Sequence, residues 1–136
     1  MYPYLRHNDV LWILEIQGLF SPKFGQLVFA ERLMSGERIV HRHLAHGIVK
    51  GDRLKMSDSD LPKGIRILGI VNGRFAHNGM IHYSRFPISF FHRFQAIISE
   101  WNRWEHRGIH KIATGMLIVV GWIFRKFEDS WGIKNE

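Results

Sequence analysis

The hydrophobic period changes once along this chain, and that change constrains its architecture more than any other feature. Up to Gly73 the apolar residues come in short, β-branched runs closed by Gly, Pro, Ser and Asn, the pattern of strands and turns. Strands are predicted over residues 10–16, 26–32, 38–44, 48–50 and 65–71, with a tight hairpin at His46-Gly47, a polar loop over 51–64 and a turn at Asn72-Gly73. Beyond Pro87 the period becomes helical: Phe90, Phe91, Phe94, Ile97, Ile98, Trp101 and Trp104 form one stripe, Arg93, Gln95, Glu100 and Arg103 lie on the other face, and Ser89 is placed to cap the start. A last apolar run, residues 112–124, ends in Arg125-Lys126-Phe127-Glu128-Asp129 and reads either as a second helix packed on the first or as a segment resting on a membrane surface. Its thirteen residues fall short of the roughly 20 that a spanning helix needs. The expected fold is mainly β, a small curved sheet or barrel over residues 1–84, with a C-terminal α-helical extension over 85–136.

Composition narrows the function classes. Of 136 residues, 46% are hydrophobic and 13% aromatic, which suffices for a packed core and excludes a disordered or collagen-like chain. Lys and Arg outnumber Asp and Glu by 19 to 12, a formal charge of +7 that suits an anionic partner such as nucleic acid or a phospholipid surface. The surplus is spread over both halves, eleven bases with seven acids up to Tyr83 and eight with five after it, which argues against a basic nucleic-acid arm. The absence of cysteine removes disulfides, thiolate catalysis and Cys-type zinc sites. Met1-Tyr2-Pro3-Tyr4-Leu5-Arg6-His7 lacks the charged-then-apolar order of a secretory signal.

Two stretches carry candidate chemistry. In Val40-His41-Arg42-His43-Leu44-Ala45-His46 the period of two puts His41 and His43 on one strand face, where they read as half of a metal site, as a general base near neutral pH, or as a solvated pair. In Lys50-Gly51-Asp52-Arg53-Leu54-Lys55-Met56-Ser57-Asp58-Ser59-Asp60, an aspartate could hold one of those imidazoles in place, or the segment is an ordinary acidic turn. Calcium fits poorly, because the glycine and terminal glutamate of a calcium loop are missing.

Taken in order, these stretches and the first residues resemble the signal peptidase I superfamily, in particular its small histidine-base members of the archaeal and endoplasmic-reticulum type. The matching blocks are Met1-Tyr2-Pro3 with Asn8-Asp9-Val10-Leu11, then Gly25-Gln26-Leu27-Val28-Phe29, Val40-His41-Arg42, Lys50-Gly51-Asp52 with Asp58, and Ile67-Leu68-Gly69-Ile70-Val71. The resemblance covers about half the chain and stops near Phe75. It implies a signal-peptidase-type core and a serine endopeptidase with His41 as general base, Asp58 as the acid that orients it and Asp52 as the second choice of acid. His43 and His46 would be bystanders, and Met1 and Pro3 would border the substrate. It further implies an extended polypeptide substrate and no cofactor or metal, with a membrane surface open as a partner of the C-terminal segment. The family's serine stands immediately before the methionine that is Met1 here, so the chain as written is expected to be inactive or nearly so.

Overall fold

The computed structural model describes residues 5, 8–16, 21–52, 64–76, 79–84, 88–101 and 107–131. Six strands come first, β1 (Val10–Glu15), β2 (Leu27–Arg32), β3 (Arg38–His43), β4 (Val49–Lys50), β5 (Ile65–Ala76) and β6 (Gly79–His82), followed by two helices, α1 (Ile88–Trp101) and α2 (Arg107–Trp131). The strands form one antiparallel sheet in the order β1-β5-β2-β3-β4, with β6 also paired to β5. The core is mainly β with two C-terminal helices, as expected. Among the described residues the sheet is open, however, and the expected signal-peptidase-type core is not what forms. With only two residues, β4 presents too little edge for the sheet to close on β1.

Local chemistry accounts for the strand ends. The β3–β4 hairpin turns where expected, through Ala45–Gly47, with His46 (φ 57°) and Gly47 (φ 73°) both left-handed. Asn72-Gly73, by contrast, does not turn. β5 runs straight through it, pairing Gly73 with Trp12 on one side and with His82 on the other. The register slips beside it, from Trp12↔Gly73 to Ile13↔Val71, so the Asn-Gly step makes a bulge that bends one long strand between several partners. Glycine serves here by lacking a side chain: a Cβ on Gly73 would lie 2.3 Å from the Ile81 carbonyl oxygen. Ser89 likewise falls inside the first turn of α1, which starts at Ile88, and does not cap it.

The helices cover one face of the sheet. Leu27, Val71 and Ile81 from the strands meet Tyr83, Ile88 and Phe124 in a buried apolar centre, with the Phe91 and Phe124 rings 3.9 Å apart. A smaller cluster of Ile98, Ala113 and Leu117 joins α1 to α2. The direction in which α1 faces differs from what its stripe suggests: Ile88, His92, Gln95 and Ser99 are buried, whereas Phe90, Phe94, Ile97 and Trp101 are exposed. Among the described residues, no helix is long and apolar enough to cross a membrane.

Gly73→Ala is expected to lower stability by about 1–3 kcal/mol, because the added methyl meets main chain that cannot swing aside. Urea unfolding followed by circular dichroism measures this, and an unchanged midpoint would refute the close approach.

Candidate functional site

β3 divides its side chains between two environments. Strand alternation sends Arg42 toward the helices and His41 to the opposite face. On that face the cross-strand pairs Leu14↔Ile70, Ile70↔Val28 and Val28↔His41 make a row over four strands, so an apolar floor ends at an imidazole. β4 pairs only with Arg42 and His43, and among the described residues no strand pairs with the outer edge of Arg38–Val40.

On the helix side, Arg42 is fully buried and its guanidinium donates in every direction. Nε and Nη2 reach Asp52 Oδ1 and Oδ2 at 2.7 and 2.9 Å, a bidentate pair. Nη2 also donates to Gln95 Oε1 at 2.8 Å, and Nη1 to the carbonyls of Gly25 (2.8 Å) and His92 (3.2 Å). Nη1 stands 3.0 Å from His92 Nδ1, so that nitrogen is the acceptor and the ring proton sits on Nε2. Burial, followed by the Arg42 charge, pushes the His92 imidazole well below its ordinary value of 6.5. Gly25 (φ 87°) lets the β2 approach lie against α1, where a Cβ would be 3.1 Å from the His92 carbonyl oxygen and the Arg93 Cα.

Other polar links repeat the arrangement. The fully buried Lys50 donates to the Ser99 carbonyl and Oγ, both at 3.2 Å, and the Ala45 N–H donates to Glu100 Oε1 at 3.1 Å. Arg74 meets Glu128 at 3.2 Å with both side chains buried, and Arg125 holds Asp9 bidentately at 2.7 and 2.9 Å. His92 also borders a cavity of about 180 Å³ shared with Gly25, Asn72, Tyr83 and Ser84. That volume is below the usual range of ligand pockets.

His41 is half-buried on β3, and His43, on the same face by alternation, has its imidazole drawn below the ordinary value by burial, opposed by a hydrogen bond to the Lys23 backbone. His46 sits exposed in the turn. Asp52 is buried against Arg42, on the side of β3 away from the His41 ring, so its described contacts are structural. Asp58, Met1 and Pro3 lie outside the described residues. Among the described residues no group of three His, Asp or Glu side chains is placed to hold a metal. The residues missed in the sequence are Arg42, Lys50 and their acceptors on α1. The available signal was His92, Gln95 and Ser99, a helical row of uncharged hydrogen-bonding side chains. The chain matches no protein-family model, no curated protein and no solved structure.

Asp52→Ala is expected to cost about 3–5 kcal/mol in urea unfolding, since it strands a buried guanidinium. A loss under about 1 kcal/mol, the scale of an exposed pair, would show that solvent reaches Arg42. Acid should also weaken the fold. Below 6.5 the unfolded chain binds a proton that native His92 refuses, so its contribution is complete above that value and is lost as pH falls toward the lowered native pKa. The slope approaches about 1.4 kcal/mol per pH unit for one such group. His92→Gln, which keeps an acceptor for Arg42, is expected to shrink the stability difference between about pH 7.5 and about pH 5.5. An unchanged difference would place the titration elsewhere.

Proposed function

We propose that this domain serves a serine endopeptidase of the histidine-base type, with His41 as general base, Asp58 as the carboxylate that orients it and an extended polypeptide as substrate. The observation that carries the reading is the division of labour on β3. Arg42 draws Asp52 to the helix side, which leaves His41 at the end of the row from Leu14 through Ile70 and Val28. Asp58 follows six residues after the anchored Asp52, within reach of that strand. The support is local, in β3 and the blocks around it, because the open sheet differs from the signal peptidase type.

In this reading a serine ahead of Met1-Tyr2-Pro3 gives its proton to His41 as its oxygen attacks the scissile carbonyl carbon. The imidazolium, steadied by Asp58, returns that proton to the leaving amine, and water then releases the acyl group by the same route. The substrate would add as a strand at Arg38–Val40, beside His41. The same edge suits a module that grips an extended peptide without cutting it, which is the second reading.

A form carrying a serine and a short upstream strand before Met1 is expected to hydrolyse internally quenched peptides with small residues at the bond. His41→Ala should lower that rate by about 10²–10⁴-fold, and Asp58→Asn by a similar factor. Equal cleavage without His41 would remove it as the base. Salt-tolerant peptide binding without cleavage would assign the gripping module, and binding to RNA or DNA that collapses with salt would replace both readings.

A further inference from the structure

The helical layer is built inside out. On α1 the side that meets the sheet carries His92, Gln95 and Ser99, which bond to Arg42 and Lys50. The opposite side presents Phe90, Phe94, Ile97 and Trp101 at spacings of four, three and four, each at least 38% exposed. α2 adds a second outward stripe, Ile109, Ile112, Met116, Val119 and Ile123, with Ile112 65% exposed. The two stripes join in an apolar groove of about 360 Å³ lined by Trp101, Ile109, Ile112, Ala113 and Met116. An outward apolar face running along two helices is larger than the scattered exposure of an ordinary soluble surface.

The described exposed charges beside this face share one sign. Among the described side chains of the two helices, the exposed charges are Arg93, Lys111 and Lys126, all cationic. The described acids turn inward, Glu128 buried against Arg74 and Glu100 bonded to the Ala45 N–H. Lys126 lies 4.2 Å from the centroid of Trp122, which is half exposed. Tryptophan with a cation alongside is the pairing that suits the headgroup level of a bilayer. Two copies of the chain meeting through this face would bring their cationic borders together, whereas an anionic headgroup layer neutralises them. We propose that the outer face of the α1–α2 layer lies on an anionic lipid bilayer, its apolar stripes in the headgroup–acyl boundary and Arg93, Lys111 and Lys126 among the phosphates. Since neither helix is long and apolar enough to cross, the layer rests on the surface. The inference does not depend on the reaction proposed for the opposite face of the sheet.

Flotation of the 136-residue protein with phosphatidylcholine vesicles, with and without phosphatidylglycerol, tests the proposal. Binding is expected to the anionic vesicles, at least about tenfold tighter than to the neutral ones, with a blue shift in tryptophan emission. Val119→Glu with Ile123→Glu, both at exposed positions, should weaken binding by about tenfold or more while the circular dichroism spectrum stays native. Arg93→Gln with Lys111→Gln should reduce the preference for the anionic lipid. Failure to float with either vesicle, or binding indifferent to the glutamates in a folded protein, would overturn the proposal. Dimerisation abolished by the same glutamates, without vesicle binding, would give the face to a second copy instead.

Discussion

Everything in this structure is arranged around one guanidinium. Arg42 is fully buried in the middle of a sheet face, and a charge so placed is tolerated only with matched partners. Those partners come from four places: Asp52 two residues beyond β4, the loop into β2, and His92 and Gln95 within one turn of α1. Arg42 thereby sets where α1 lies and which of its sides faces inward. The period of a helix leaves about half its surface for any one purpose, so a helix that turns His92 and Gln95 toward Arg42 turns Phe90 and Phe94 away.

The same logic explains why the two layers meet through polar links around a small apolar centre. Arg42, Lys50, Arg74 and Asp9 each reach from the sheet to a helix, and each link has a definite geometry. Greasy contact between a sheet and a helix permits sliding by a residue or a turn, but a bidentate guanidinium does not. Buried ion pairs add little net stability compared with apolar substitutes of the same shape, and what they contribute here is register. That register holds β3 steady, with His41 on the face away from the helices.

Much of this was legible in the residues, and the rest was hidden for identifiable reasons. β1, β2, β3 and β4 begin and end within a residue of where alternation puts them, because branched apolar residues bounded by turn formers have few other options. β5 outran its prediction, since Asn72-Gly73 has the composition of a turn yet serves a bulge. β6, four residues with no distinctive pattern, left nothing to read. The helices were legible as helices but their orientation was not, because periodicity identifies a stripe without saying which side is buried. At the candidate site, His41 and Asp52 stood out by residue type and spacing. Asp52's actual partner did not, because pairing Arg42 with Asp52 depends on which strand face the helices cover, a fact of tertiary packing.

The sequence separations within these links bear on how the chain is made. Arg42 waits 50 and 53 residues for His92 and Gln95, and Arg74 waits 54 for Glu128. Arg42 meets His92 and Gln95 only once α1 has left the ribosome, and Arg74 meets Glu128 only once α2 has, so charges destined for the interior oppose early closing of the sheet face. Closure of the sheet face is therefore expected to follow the synthesis of both helices.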